Sequence, residues 1–218
     1  MLPILYTAEL DLAQADMPAF YDWFASRHVP DLQASGFGAC ACYRATDGGM
    51  DILDVYELPD TDAFKRPRYL EMGKRDSYAA AILGRRTDKS NTVYTQRVLG
   101  GTRADAALPI DADWVSLVRF DAPAASAAAF EAVLRREAAR LSKLGAFSLR
   151  FAERGPDHPT HSSHRPRFIA LAEWAARPGA DASLTALLEG SGLSGITNVK
   201  PFTGYRVYPW PDDASLRR

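Results

Sequence analysis

The sequence predicts an α+β fold in which two halves follow the same order of strands and helices. Of the 218 residues, 47% are hydrophobic and 24% are charged, a globular composition that excludes extensive disorder. A shift of 110 residues places like residues on each other without gaps: Asp11 on Asp121, Phe20 on Phe130, Phe37 on Phe147 and Arg44 on Arg154. Further along, the shift grows to 116 residues and places Glu57 on Glu173. The chain is therefore predicted to contain an internal repeat.

The first half is predicted to have the order β-α-β-β-α-β. After the first strand, Asp16 and Pro18 mark the start of a helix and Pro30 marks its end. The turn Asp47-Gly48-Gly49 predicts a hairpin, and Pro67 interrupts the second helical region. The predicted elements are strand 4–10, helix 16–28, strands 36–44 and 51–58, helical region 60–83 and strand 92–99.

The second half is predicted to repeat this order. Its elements are strand 114–120, helix 126–144, strands 147–153 and 168–175, helix 182–189 and strand 200–208. The stretch 100–111 is rich in glycine, proline and small residues, as linkers are. We therefore place the first repeat at residues 1–101, a linker at 102–112 and the second repeat at 113–218.

This order of elements is that of the ferredoxin-like split β-α-β unit, here in tandem. Such a unit carries both helices on one face of a four-stranded antiparallel sheet, so the other face needs cover. The second unit can supply that cover. We expect two antiparallel sheets packed into an α+β barrel, with a space between them that side chains either fill or leave as a pocket.

Charge and motif content narrow the classes of partner. Lysine and arginine number 26 against 27 acidic residues, so the formal net charge of −1 favours neither a nucleic acid nor an anionic membrane. The short apolar start of the chain matches neither a signal peptide nor a membrane span, which predicts a cytoplasmic protein. Cys40 and Cys42 share one face of a strand and are expected to be packing residues. No phosphate-binding loop, dinucleotide fingerprint or zinc-protease motif is present, so no cofactor is predicted.

The first 99 residues resemble the dimeric α+β barrel superfamily, whereas the resemblance of the second half is thin. The similar branches are the EthD-like and antibiotic-biosynthesis-monooxygenase-like proteins, together with a group of uncharacterised domains. The matching residues are Trp23, His28-Val29-Pro30, Leu32, Gly36-Phe37, Tyr56-Glu57, Asp62-Ala63-Phe64 and Pro67-Arg68-Tyr69-Leu70. In this superfamily two ferredoxin-like units form the barrel, either as a homodimer or as a fused pair in one chain. This chain resembles a fused pair, and the resemblance leaves open whether the chain also forms a homo-oligomer. Members include cofactor-free monooxygenases, isomerases, polyketide cyclases, haem enzymes and proteins without an assigned activity, so the resemblance implies a fold more than a reaction.

His28 is the candidate catalytic residue. With Phe20, Trp23 and Phe24 it falls on one helix face, an aromatic stripe that is expected to point inward. The imidazole could act as a base near neutral pH, and the resemblance places a helix-end histidine beside the barrel cavity. The equal alternative is a core histidine that donates a hydrogen bond to a carbonyl. The repeat places Ala138 at the position of His28. A single asymmetric site in the first half would produce this difference, and simple divergence of a packing position would produce it too.

Several further residues are candidates for substrate binding. Trp23 and Tyr43 are expected to shape the pocket, and Tyr56 and Tyr94 would give an apolar pocket polar groups, although core packing explains the tyrosines as well. Arg44, at a strand end, is a secondary candidate with a structural ion pair as its alternative.

Three histidines, His158, His161 and His164, fall in the connection that contains the extra residues of the second half. Their spacing could bind a divalent metal, but the surrounding proline, serine and glycine residues predict an exposed, poorly ordered loop. We therefore predict no specific metal site.

The sequence thus predicts a cofactor-independent enzyme or binder that holds a small apolar or aromatic molecule between two sheets. A cofactor-free monooxygenase, isomerase or cyclase-like reaction is the mechanistic expectation, with His28 as acid, base or orienting group. The alternatives are a non-catalytic ligand-binding or structural barrel and, by family resemblance alone, a barrel that binds haem through His28.

Overall fold

A computed structural model describes residues 4–47, 50–100, 110–155 and 157–210. We call residues 4–100 the first half and residues 110–210 the second half. Most of the predicted linker lies outside the described residues, so the boundaries of the two repeats stay a prediction. None of the helices in the described ranges is long and apolar enough to cross a lipid bilayer.

Eight antiparallel strands close into one barrel, which confirms the predicted α+β barrel. The order around the barrel is β1-β3-β2-β8-β5-β7-β6-β4, so each half contributes four neighbouring strands in the same relative order. The strands are β1 (Ile4–Asp11), β2 (Ala39–Asp47), β3 (Ile52–Leu58), β4 (Thr87–Gly100), β5 (Trp114–Asp121), β6 (Ala146–Arg154), β7 (Phe168–Trp174) and β8 (Thr197–Tyr208). The shared order fits a tandem ferredoxin-like repeat, which itself stays a prediction.

The two halves are joined by hydrogen-bonded strand pairs rather than only by packing of their faces. Strand β2 pairs with β8, and β4 pairs with β6. Pairing satisfies the backbone groups of strands that would otherwise be edges of two separate sheets. The predicted pair of facing sheets is therefore one continuous closed barrel.

The helices cover the outside of the barrel. In the first half they are α1 (Met17–Trp23), α2 (Val29–Ala34), α3 (Pro67–Leu70), α4 (Met72–Arg75) and α5 (Ser77–Leu83), and in the second half α6 (Ser126–Lys143) and α7 (Leu184–Glu189). Between α1 and α2 lies one wide π-helical turn, Phe24–His28. The expectation that Pro30 ends the first helix is wrong. Pro30 lies in the first turn of α2, where proline is tolerated, so the helical path continues to Ala34.

Side chains that point into the barrel fill it. Strand alternation sends Tyr43, Leu53, Tyr94, Val115 and Phe202 inward, and these residues belong to one buried apolar cluster. Two further clusters lie outside the barrel, between each half's strands and its helices. The expected pocket between the sheets is therefore occupied by packed side chains.

Ion pairs complete the barrel interior. The Arg150 guanidinium contacts Glu57 of β3 at 2.7 Å and Glu173 of β7 at 3.2 Å. Arg119 contacts Glu9 of β1 at 2.7 Å. Buried charges are tolerated only when they are paired, so these arginines connect strands of the two halves through the middle of the barrel.

We expect replacement of Arg150 by alanine to lower the free energy of unfolding by about 3 to 5 kcal/mol, because it removes the cation between two buried carboxylates. Urea denaturation measures this change. Arg135→Ala is the control, because Arg135 pairs with Glu131 on the exposed side of α6 and such pairs contribute at most about 1 kcal/mol. Equal stability of the Arg150 variant and the wild type would contradict this account of the interior.

Candidate functional site

A cavity of about 390 Å³ lies outside the barrel, between the strands of the first half and their helices. We call it the first-half cavity. Its floor is formed by β1, β3 and β4, its walls by α1 to α5, and part of its rim by Thr160 and His161 of the second half. The volume is within the range of small-molecule sites, and the lining combines apolar and aromatic side chains with a few polar groups.

Strand register places Ala8 at the centre of the floor. Ala8 pairs with Asp54 of β3 on one side and with Asn91 of β4 on the other. One step along the same face, Tyr6 pairs with Tyr56. Because Ala8 carries only a methyl group, a depression forms between Asp54 and Asn91.

Aromatic rings form one wall of the first-half cavity. The rings of Tyr6 and Tyr56 stack with their centroids 5.3 Å apart. The Trp23 indole stacks on the His28 ring at 4.6 Å, and its Nε1 donates a hydrogen bond to Asp76 Oδ2 at 2.7 Å. These contacts hold flat apolar surfaces beside the depression, which suits a flat ligand.

His28 lies at the end of the wide turn and lines the cavity. Its Nε2 lies 3.5 Å from the Tyr56 hydroxyl, a long contact. Burial, with a smaller contribution from Lys89, lowers the pKa of His28 to about 4. The imidazole is therefore neutral near pH 7 and can accept or donate a hydrogen bond in the cavity.

Asp54 is a functional candidate that the sequence interpretation missed. It is 3% exposed, and burial raises its pKa to about 7, while the neighbouring Cys42 thiol and Tyr56 hydroxyl act to lower that pKa. A usable signal was present, since Asp54 precedes Tyr56 by two residues and shares its face in the otherwise apolar start of β3.

Lys89 adds a cation to the same cavity. It pairs with Leu10 on the outer face, one step along β4 from Asn91, and is half-buried. Burial and, to a smaller extent, Arg86 lower the pKa of Lys89 to about 8. The cavity therefore contains an acid and an amine that both titrate near neutral pH.

The predicted site residues separate into two groups. Trp23, His28 and Tyr56 line the first-half cavity. Tyr43 and Tyr94 lie instead inside the barrel, fully buried among apolar residues, because their positions alternate to the inner face. Arg44 is outside the cavity lining and donates a hydrogen bond to the Gln14 side chain.

The expectation that His158 is exposed is wrong. The residue is 6% exposed, its ring stacks on Tyr6 at 5.3 Å and meets the edge of Phe64 at 4.5 Å. Its Nε2 hydrogen-bonds the Tyr69 hydroxyl at 2.7 Å, and its Nδ1 accepts from the Thr160 amide at 3.1 Å. The connection between β6 and β7 thus crosses onto the first half, where aromatic packing holds it against the cavity.

The other two histidines of this connection, His161 and His164, are exposed, and the rings of His158 and His161 stack at 4.7 Å. Within the described ranges, no group of three or more histidine, cysteine, aspartate or glutamate side chains is arranged to hold a metal ion.

The corresponding floor of the second half is apolar. Val118 of β5 pairs with Ala170 of β7 and with Pro201 of β8, and Ser116 pairs with Ala172. Val118, Ala170 and Ala172 belong to the packed cluster beneath α6 and α7. The acid, the amide and the small central residue therefore occur together in the first half. In the second half Val118, Ala170 and Ala172 are packed, whereas Ser116 and Pro201 line a separate space beside α7.

A second space, of about 480 Å³, lies beside α7 and is lined by Ser116, Arg177, Ser183 and Thr203 among others. Arg177 forms an exposed ion pair with Asp47 there, at 2.6 Å. We take the first-half cavity as the candidate site because buried titratable groups converge on it.

Comparison with known proteins gives the fold. No family model and no curated protein sequence matches the chain. The solved structure of an anthrone oxidase-like protein is similar, with a TM-score of 0.69, 10% identity, and 95% of this chain and 92% of that chain covered. A protein from Lactobacillus acidophilus that is provisionally named a monooxygenase has a TM-score of 0.58 and 12% identity, with 94% of both chains covered. A heme-binding protein from Thermus thermophilus has a TM-score of 0.50 and 11% identity, with 94% and 91% covered.

These similarities agree with the closed eight-stranded α+β barrel described above. At identities this low they establish the fold and leave the reaction to the residues of the site. None of them assigns the chain to the EthD-like branch.

We expect His158→Ala to lower the free energy of unfolding by about 2 to 3 kcal/mol, because it removes a buried ring and two hydrogen bonds. Thermal or urea denaturation measures the loss. His164→Ala serves as the matched control, since His164 is an exposed histidine of the same connection. If the two variants were equally stable, the connection would not be anchored by His158.

Proposed function

We propose that the protein is a cofactor-independent enzyme or binding protein that holds a small, largely apolar or aromatic molecule in the first-half cavity. The observation that carries this proposal is the meeting of neutral His28 and protonatable Asp54 on an aromatic cavity of about 390 Å³. His28 acts as acid, base or orienting group. Among the known barrels, a monooxygenase, isomerase or cyclase-like reaction of the EthD-like type is the closest expectation.

The arrangement suits acid–base chemistry on an uncharged ligand. Burial keeps His28 neutral at physiological pH, and it raises the pKa of Asp54 so that the carboxyl group is about half protonated there. Neither residue therefore imposes a permanent charge on an apolar ligand. The stacked rings of Tyr6 and Tyr56 offer a flat contact surface, and the small side chain of Ala8 leaves room above the strands.

Haem bound through His28 Nε2 does not fit this geometry. Iron would lie about 2 Å from that nitrogen, as metals do in imidazole complexes. The Tyr56 hydroxyl is 3.5 Å from the same atom, and the Trp23 indole covers a face of the ring. We therefore derive no step through haem.

We expect Ala8→Phe to abolish binding of small aromatic molecules, because the new ring occupies the depression between Asp54 and Asn91. The cavity accommodates that ring, so the melting temperature should change little, in contrast to the loss of about 1 to 3 kcal/mol typical of an overpacked core. Binding is measured by calorimetry with a panel of naphthalene and anthracene derivatives.

The control for this variant is Ala81→Phe, which adds the same ring at an exposed position of α5. If Ala8→Phe left binding intact, the ligand site would lie elsewhere. A large loss of stability would show that the space above Ala8 is filled.

We expect His28→Ala to reduce ligand affinity or turnover with a modest change in stability, because the lost imidazole faces a cavity. If His28 serves only as a core group, the same change mainly lowers the melting temperature, by about 2 to 4 °C for each kcal/mol lost. Parallel calorimetric binding and thermal unfolding separate these outcomes, and the latter one would support the structural alternative.

A further inference from the structure

One carboxylate oxygen in the first-half cavity has no hydrogen-bond partner. Oδ1 of Asp54 is enclosed, and no group of the described residues pairs with it. Buried polar atoms nearly always have partners, and leaving one without a partner costs about 1 to 3 kcal/mol. The terminal torsion of an aspartate side chain is soft, so rotation of the carboxyl group can turn this buried oxygen toward the cavity that Asp54 lines, where a ligand can supply the missing donor.

The barrel does not need an acid at this position. In the second half, Ala170 pairs with Val118 as Asp54 pairs with Ala8, and Ala170 is buried in an apolar cluster. An aspartate there opposes folding, because its carboxyl group must leave water without full compensation. A residue that costs stability and opens onto a cavity is typical of a functional site.

The surroundings of Asp54 suit a flat ligand that carries a hydroxyl group. Asn91 lies on the other side of Ala8, two strand spacings or about 10 Å from Asp54, which leaves a gap for one ring system. Tyr6 and Tyr56 stack beside this gap. Lys89, one step along β4 from Asn91, supplies a cation to the same cavity.

We propose that Asp54 is the catalytic residue of the first-half cavity, whose carboxylate accepts a proton from the hydroxyl group of a phenol or enol seated over Ala8. In this step the ligand O–H bond breaks and its electron pair stays on the ligand oxygen. A new O–H bond forms at Asp54 Oδ1, and the ammonium group of Lys89 stabilises the resulting phenolate or enolate. The inference rests on the proposed function, and it makes His28 a positioning group for the ring.

Asp54 gains and loses its proton near neutral pH in the surroundings that the cavity provides. The pKa of Asp54 is about 7, with burial as its main cause and Lys89 as an opposing one. The groups that interact with it are Tyr6 of β1, Cys40 and Cys42 of β2, Tyr56 of β3, Lys89 of β4 and Tyr21 of α1. The other titratable groups that line the cavity are His28, Asp31, Tyr69, Asp76 and His161. Near pH 7 a carboxyl group with this pKa can both take and return a proton.

The test compares the binding of 2-naphthol with that of 2-methoxynaphthalene, which has the same rings and no hydroxyl proton. A hydroxyl group gains a charge-assisted hydrogen bond once Asp54 ionises, whereas a methoxy group leaves the carboxylate unpaired. From about pH 5.5 to about pH 7.5, where Lys89 stays mostly protonated, we therefore expect the preference for 2-naphthol to rise several-fold in the wild type. In Asp54→Asn the preference should not change with pH.

Asp62→Asn is the matched control, because Asp62 is an exposed aspartate outside the cavity and its variant should behave as the wild type. A preference that is flat with pH in the wild type, or that rises equally in Asp54→Asn, overturns the assignment of Asp54 and leaves the proposed function standing. If neither probe binds the wild type, the proposed function fails and this inference fails with it.

A second measurement needs no variant. Carboxyl ¹³C NMR of the wild type should show the pKa of Asp54 falling when 2-naphthol binds and rising when 2-methoxynaphthalene binds. If both probes bind and the Asp54 resonance titrates unchanged, the carboxylate does not meet the ligand hydroxyl and the proposal is wrong.

Discussion

The buried ion pairs of Arg119 and Arg150 occupy the middle of the barrel, and the location of the proposed ligand site depends on them. Each guanidinium must have a carboxylate partner once it is enclosed, and Glu9, Glu57 and Glu173 supply these from the surrounding strands. Together with Tyr43, Tyr94 and the other inward side chains they fill the closed barrel. Space for a small molecule is therefore found outside the strands, beneath the helices.

The two halves share the same strand order but differ in the side chains beneath their helices. Beneath α6, Val118 and Ala170 pack into an apolar cluster. Beneath α1 to α5, Ala8 and Asp54 leave a cavity with an unsatisfied carboxylate oxygen. The second half still takes part in the site, because His158 anchors the connection that brings Thr160 and His161 to the cavity rim.

The sequence was sufficient to predict the α+β barrel, because hydrophobic periodicity and turn residues determine element order. It also places Trp23 and His28 on one inward-facing helix stripe, whereas Tyr56 is expected inside the barrel and lies on its outer face. It could not distinguish the inner from the outer face of the barrel, since strands buried on both faces are apolar throughout. Tyr43 and Tyr94 were therefore assigned to a pocket although they point into the core. The candidate role of Asp54 and the burial of His158 are not predicted for a related reason, since both depend on contacts between residues distant in the chain.

The most direct test of this account is a high-resolution crystal structure of the protein grown with 2-naphthol. The account predicts electron density for the ring system over Ala8, between Asp54 and Asn91, with the hydroxyl oxygen within hydrogen-bond distance of Asp54 Oδ1. Density for the ligand inside the barrel, beside α7 or on the surface, with the first-half cavity closed by its own side chains, would contradict it.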